Sequence, residues 1–316
     1  MKIIHGLKNI SEKDQNQIVI LGFFDGIHKG HQSLIQEAEK ISSTLNDSPS
    51  LLLYTFNRHP LEIVNPERAP FLLTTLEEKI ELLEKRQIDL LLIGDFNEEI
   101  SKLPPGNFLK NIVSEKLKPQ YVVTGFNYRY GKNHKGNVET LSKEGKTLGF
   151  PVSVVNAVMM DGEPVSSTRI RNLLIAGSVE KAAELLGRNY SISGIVTRGE
   201  GRGKTLGFPT ANLQIPSRKL LPKIGIYAGT ARIKNKPLNK EWGAAVSIGK
   251  RPTFNGNQIV VEVYLLHFNG NLYGEKIEIE LIKRIRDEEK FASAEDLIEK
   301  MKEDVSLTQK ILELPR

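Results

Sequence analysis

Five apolar runs of strand length, QIVILGF (17–23), SLLLYTF (50–56), DLLLIGDF (89–96), QYVVT (120–124) and PVSVVN (151–156), alternate with stretches of helical periodicity. That alternation constrains the fold more than any other feature. A run that is apolar on consecutive residues, not on every second one, is covered on both faces, and strands separated by helices build a parallel sheet. The first domain is therefore expected to be an α/β doubly wound parallel sheet. Between the strands, Leu34, Ala38, Ile41 and Leu45 recur at the spacing of one helix face, and Thr75 with Glu78 three residues on forms a capping box. Further helices are expected near 105–117 and 138–148, with two short ones near 168–175 and 179–186.

Past Gly187 the pattern changes. YSISGIV, GIYAGTARI, WGAAVSI, QIVVEVYLL and EKIEIELI are short β-rich runs separated by Gly, Pro and Asn, the mark of an antiparallel barrel or sandwich. A last helix is expected to start at Ser293 and to carry Leu297, Met301, Val305, Thr308 and Leu312 along one face. The expected domains are 1–187 and 188–316.

At 316 residues the chain is long enough for two cores. It has no cysteine, which excludes disulfides and thiolate catalysis, and no run approaching the roughly 20 apolar residues of a membrane span. The opening MKIIHGLKNISEKDQ has neither the apolar core nor the cleavage site of a signal peptide, so a cytoplasmic location and no membrane partner are expected. The net charge of +6 suits nucleic acid or small phosphorylated ligands alike. Without a Lys/Arg block interleaved with aromatics, anion pockets are expected and nucleic acid is not.

The first run leads into GFFDGIHKGH (22–31), which sets His28 and His31 on either side of Gly30 where strand passes to helix. Unpaired N–H groups and the positive end of the helix dipole attract anionic oxygen there. Gly26 and Gly30 would let phosphate approach the backbone, and imidazoles three residues apart share a helix face. The same histidines would also serve as half of a metal site or as ordinary surface residues. Zinc requires three or four ligands, whereas the other histidines, His5, His59, His134 and His267, lack ligand spacing. Nucleotide handling is the expectation.

Two further segments concentrate anion-binding chemistry. SSTRIR (166–171) opens a helix with Ser166, Ser167 and Thr168, more hydroxyls than a cap requires, and adds the fork-shaped donors of Arg169 and Arg171. The heptapeptide GKTLGFP occurs at 145–151 and at 203–209 with unrelated flanks, so duplication is not expected. The first copy reads as a helix end with Gly149 as its cap. The second lies in RGEGRGKTLGFPTANL (198–213), which is one residue too short for a P-loop and has Pro209 where the helix should run. A glycine-rich flap can still offer N–H groups and Lys204 to phosphates.

HKGH and SSTRIR, with FNRHP (56–60) and GFNYRYGKNHKGN (125–137), resemble the FAD synthetase (FMN adenylyltransferase) members of the HxGH nucleotidyltransferases across the whole first domain. GFPTAN (207–212), GIYAG (225–229), SIGKRPTF (247–254), VEVYLL (261–266) and LYGEKIEIELIKRIRDEEKF (272–291) resemble riboflavin kinase, in that family's order. The whole chain thus resembles the bacterial bifunctional riboflavin kinase/FAD synthetase family, which implies a nucleotidyltransferase domain followed by an antiparallel β-barrel domain with a C-terminal helix. The implied activities are ATP-dependent phosphorylation of riboflavin to FMN and adenylation of FMN to FAD with release of pyrophosphate, so the implied ligands are riboflavin, FMN, FAD and ATP with Mg²⁺. No motif specifies an oligomeric state.

The resemblance also implies roles. In adenylyl transfer His28, His31 and Arg169 would be catalytic. Gly22, Phe23, Phe24, Asp25, Gly30, Ser166, Ser167, Thr168 and Arg171 would surround the ATP phosphates, with Phe56 and Asn127 at the flavin. In the kinase Gly201, Gly203 and Lys204 would hold phosphate, Thr210 and Asn212 would form a partial oxygen shell for Mg²⁺, Arg286 would meet the flavin, and Glu262 would accept the proton of the attacking hydroxyl. Spacing alone leaves Glu262 open as a solvent-facing strand carboxylate and Phe56 as plain core. Departures from the family pattern are His267 before Phe268, Ser247 where asparagine is common, FNRHP itself, and Phe126, Tyr128 and Tyr130. Two alternatives remain beside this reading: one active half, or a flavin-sensing regulator without turnover.

Overall fold

The computed structural model describes residues 1–199, 207–234, 240–253 and 256–314. Contacts divide the chain into two compact units, Met1–Ser167 and Thr168–Arg316.

The first unit is a six-stranded sheet in which β1 (Lys2–His5), β2 (Ile18–Leu21), β3 (Leu51–Phe56), β4 (Leu90–Gly94), β5 (Tyr121–Gly125) and β6 (Val152–Val155) stand in the order β1-β4-β3-β2-β5-β6. Every pairing is parallel. The continuous apolar runs are divided between two cores by the period of two: Val19, Leu21, Leu52 and Tyr54 face one, Ile18, Ile20, Leu51 and Leu53 the other. The second core is closed by Leu34, Ile35 and Ala38 of α1 (Lys29–Thr44) and by Leu83 of α2 (Leu76–Glu84). Each fully buried Leu or Ile contributes about 2 kcal/mol, so these runs drive the fold. On the other face the segment expected as a helix near 105–117 is a short turn, Pro105–Asn107, followed by a π-helix over Phe108–Leu117 that ends on Lys118 at φ 44°. Helix α3 (Val138–Thr147) also lies there, through Leu141. Strand β1 was not anticipated, because only Ile4 of its four residues is buried and an edge strand carries so little apolar signal.

The strand order reverses at β2: β3 and β4 lie on one side of it, β5 and β6 on the other. That switch point opens a crevice at the carboxyl ends of β2 and β5, the usual place for a ligand in an open parallel sheet.

The second unit begins with α4 (Ser167–Ala176, whose first residue still counts with the first unit) and α5 (Val179–Leu186), which ends on Gly187 at φ 72°. A closed antiparallel barrel follows: β9 (Tyr190–Thr197), β10 (Ala211–Gln214), β11 (Gly225–Ile233), β12 (Glu241–Thr253), β13 (Gly256–Leu265) and β14 (Lys276–Arg286), ordered β10-β13-β12-β11-β14-β9. The labels β7 and β8 belong to a small hairpin, Met159–Met160 with Glu163–Pro164, in the first unit. The barrel interior is filled by alternate residues, among them Val196, Leu213, Val261 and Ile248 in one register row and Ala211, Val263, Val246 and Tyr227 in another.

Helix α6 (Ala294–Ile311) starts where expected, with the Ser293 hydroxyl accepting from Asp296 N at 3.1 Å, and packs on β11, β12 and β14. Leu297, Met301, Val305 and Leu312 are only half-buried, and its deepest residues are Asp304 and Thr308. Asp304 accepts from Arg286 Nε at 2.9 Å and from Nη2 at 2.6 Å, a bidentate pair between barrel and helix. Burial works against the Arg286 charge, but the fork-to-carboxylate bonds outweigh it and hold the guanidinium above its ordinary pKa.

Candidate active site

In the first unit the sheet hands the chain to α1 through a loop that few conformations can satisfy. Phe24, Gly26 and Ile27 have φ of 57°, 86° and 42°. A left-handed non-glycine residue costs about 1 kcal/mol, and the loop offsets it by burying the Phe24 and Ile27 side chains completely. Asp25 is buried as well. Its carboxylate accepts from Leu73 N at 3.1 Å, Thr74 N at 3.0 Å and the Thr74 hydroxyl at 3.3 Å, while Gly26 N donates to Thr74 Oγ1 at 3.0 Å. Asp25 therefore ties the loop to residues 73–74, a task that its place beside the histidines did not reveal.

His28 is itself the N-cap of α1. Its Nδ1 accepts from His31 N at 3.3 Å, which leaves the proton of a neutral ring on Nε2. The two imidazoles stack, centroids 3.7 Å apart and 17° from parallel, and Phe24 lies against His31 at 5.1 Å. Gly30 is explained by the same geometry: a Cβ there would stand 3.1 Å from the His28 ring. The HxGH spacing thus brings two imidazoles to a helix N-terminus where the dipole also favours anions. Ser166 and Ser167 are half-buried, and the Ser167 hydroxyl donates to the Asp25 carbonyl at 2.9 Å. Thr168, Arg169 and Arg171 follow on α4 and belong to the second unit.

Gly22 and Phe23 form the exit of β2. A Cβ on Gly22 would meet the Phe24 ring at 2.8 Å, and the Phe23 ring stands edge-on to His59 at 4.9 Å. Phe56, half-buried at the end of β3, lies between Tyr54 and Phe96 with centroids 5.2 and 5.0 Å away. Asn127 is exposed just past β5. Burial raises the phenols of Tyr54 and Tyr128 well above their usual range, so this aromatic wall stays neutral.

The barrel builds its candidate site differently. Register places Thr197, Asn212, Glu262, Ser247, Ile226 and Arg286 side by side on six neighbouring strands, in that order. Residues directly opposite in an antiparallel pair share a face, and the rows above and below fill the interior. These six lie on the outer face, each half-buried. Asn212 and Glu262, 50 residues apart in sequence, are direct cross-strand partners, so their Cβ atoms are about 5 Å apart. Thr210 is two residues before Asn212 and also half-buried. Gly199 closes over this place: a Cβ there would collide with the Asn212 amide at 2.2 Å. Next along the same face, Phe208 and Tyr264 meet edge to face at 5.4 Å.

Gly201, Gly203 and Lys204, the expected phosphate donors of the flap, lie outside the described residues. Arg286 reaches the end of the polar row with its fork engaged by Asp304, and its Nη1 donates to the Asp287 carbonyl at 2.9 Å. His267 lies beside Gln309 of α6 at 3.2 Å. Among the described residues no three acidic or histidine side chains come together as a metal cage. Thr210, Asn212 and Glu262 nevertheless offer oxygen donors of the hard kind that Mg²⁺ prefers. Ser247, noted in the sequence only as a departure, turns out to stand directly beside Glu262. Thr74 and Asp304 gave no sequence signal of a role, since each acts through side-chain contacts distant in sequence.

Comparison with known proteins divides the chain in the same way. A family model described as FAD synthetase matches residues 10–169 and one described as riboflavin kinase matches 186–312. A bifunctional riboflavin kinase/FMN adenylyltransferase of Buchnera aphidicola (Schizaphis graminum) is 36% identical, over 99% of this chain and 100% of its own. The proteins of that name from Listeria monocytogenes and Escherichia coli K12 are 37% and 34% identical, over 92% and 94% of this chain and 91% and 93% of theirs. A solved chain from Streptococcus pneumoniae, described as a macrolide-efflux protein, has a TM-score of 0.87 at 32% identity and covers 98% of this chain and 99% of its own. Among the described residues of the present chain, no helix is long and apolar enough to cross a membrane.

Proposed function

The chain belongs to the bifunctional riboflavin kinase/FMN adenylyltransferase family, and from that premise we propose how its own residues divide the work. The enzyme phosphorylates riboflavin to FMN with ATP and adenylates FMN to FAD with release of pyrophosphate. The observation that carries the assignment of residues is the segregation of two polar constellations, the stacked His28–His31 pair at the head of α1 and the Asn212–Glu262 register pair on the barrel wall.

In adenylyl transfer His28 and His31 offset charge building on the α- and β-phosphates, where fixed donors contribute most. Ser166, Ser167, Thr168, Arg169 and Arg171 supply further donors, and Gly22, Phe23, Phe24 and Gly30 give the phosphates a close backbone approach. Asp25 acts at one remove, by fixing the loop. The aromatic wall with Phe56, and Asn127 beyond β5, receive the flavin.

In the kinase Glu262 takes the proton of the riboflavin hydroxyl as it attacks the terminal phosphate of ATP. Asn212 and Thr210 hold Mg²⁺ that arrives with ATP; when bound, the ion neutralises phosphate charge. Gly201, Gly203 and Lys204 of the flap bind phosphate, and Arg286 borders the flavin with Asp304 steadying its fork. The kinase domain is 188–316, beginning just before β9. A cytoplasmic setting, where ATP is abundant, belongs to the same reading.

The test is a product analysis by chromatography. Riboflavin with ATP and Mg²⁺ is expected to yield FMN and ADP first, then FAD and pyrophosphate. Supplied FMN should yield FAD and pyrophosphate without ADP. If substitution of either constellation abolished both activities in folded protein, the division into two sites would be wrong.

A further inference from the structure

Lys79 is 3% exposed, and neither reaction as assigned above uses it. It lies in the first turns of α2, whose start is set by the Thr75–Glu78 capping box. Its Nζ donates to the Phe23 carbonyl at 2.6 Å and to Thr55 Oγ1 at 3.2 Å, and stands 4.2 Å from the centre of the Phe23 ring. Thr55 donates to the same carbonyl at 2.8 Å, so a neutral hydroxyl already satisfies it. Burying an ammonium group is expensive, and a charge retained where a hydroxyl already makes the bond calls for a further reason.

We propose that Lys79 is a positioning residue for adenylyl transfer: its ammonium anchors the Phe23 carbonyl beneath the loop that sets His28 and His31, and its charge favours a polyanion bound above that loop. The loop is held at carbonyl 23 by Lys79 and Thr55, and at Asp25 and Gly26 by Leu73, Thr74 and Ser167. Between and beyond them the left-handed turns at Phe24, Gly26 and Ile27 leave the backbone few other paths to the His28 cap. A carbonyl turned inward by a cation also keeps its negative end away from an arriving phosphate.

The charge is conditional on pH. Burial lowers the Lys79 ammonium to about 8, with the Asp25 carboxylate acting in the opposite direction. The charged group that acts on it is Asp25 on the loop; His59 lies against the Phe23 ring that Lys79 also touches, and Glu78 precedes it on its own helix. A guanidinium keeps its proton throughout this range, so Lys79→Arg separates a loss of rate due to the ammonium from one due to any other group. Below about 8 Lys79 is charged and FAD formation is at its full rate; above it the proton leaves and the rate falls.

The proposal rests on the adenylation site lying at the head of α1, and the experiment separates the two. FAD formation from FMN and ATP is followed across pH, with riboflavin phosphorylation by the same protein as a measure of intact fold. Lys79→Met is expected to lower kcat for FAD roughly 10- to 100-fold and to raise KM for ATP, with FMN formation unchanged. Lys79→Arg keeps the charge, and is expected to regain most of the rate and to hold it above about pH 9, where wild type declines. Full FAD formation by Lys79→Met, or an alkaline decline in Lys79→Arg identical to wild type, would overturn the proposal. Should Lys79→Met fail to fold, the pH profiles of wild type and Lys79→Arg decide it alone. Full FAD formation by His31→Ala would instead sink the site assignment on which it rests.

Discussion

The two units build their proposed phosphate-handling sites by opposite means. In the parallel sheet the stacked histidines and the loop that sets them lie within ten residues of sequence, from Gly22 to His31, and form the centre of the proposed adenylation site. In the barrel the functional groups come from the wall, where Asn212, Glu262 and Ser247 share a row but are scattered over 51 residues. The reason is architectural. A parallel sheet covered on both faces has only strand ends free for chemistry, whereas a barrel with a filled interior keeps its outer face for chemistry along the length of its strands. A local site is sensitive to backbone path, and a wall site to register.

Four substitutions put that contrast to the test, with the expected effects decreasing in order. Glu262→Gln removes the proposed base while keeping shape, so FMN formation should fall about 1000-fold, or about 4 kcal/mol in barrier. Adenylation of supplied FMN should be untouched, and steady-state rates with each flavin check both halves. Asp304→Ala removes the buried partner of the half-buried Arg286 guanidinium and should destabilise the barrel by about 3 kcal/mol, read as an earlier loss of kinase activity than of adenylation during denaturation. A single shared transition would mean that the units do not unfold separately.

His31→Ala should lower FAD formation about 100-fold, close to 3 kcal/mol, with FMN accumulating when riboflavin is supplied. Gly30→Ala introduces a Cβ 3.1 Å from the His28 ring. It should cost about tenfold in FAD formation, and an unchanged rate would show that the stacked geometry is dispensable.

How much was legible beforehand follows the same division. The apolar runs, the capping box at Thr75 and the N-cap at Ser293 were readable because each depends on neighbours within one turn or strand. The HxGH pair was readable for the same reason. Asp25 shows the limit: adjacency placed it among phosphate contacts, but its carboxylate is taken by backbone N–H groups 48 and 49 residues away. The edge strand Lys2–His5 passed unnoticed because its pairing with β4 is not written in its own four residues. The sequence predicts a helix near 105–117, but whether bonds run to the fourth or the fifth residue is decided by packing against the sheet.

By itself the sequence determined the fold class of each half and the chemistry of its motifs, because hydrophobic period and helix-start residues act over a few positions. Only the tertiary structure decided that His28 caps its own helix while stacking on His31, that Glu262 faces Asn212 across a strand pair, that Arg286 is held by Asp304, and that Lys79 lies buried beneath the loop. The last three are contacts between separate elements, fixed by strand register and core packing, and no local spacing encodes them; the His28–His31 stack is close in sequence, but its geometry depends on the left-handed loop before it.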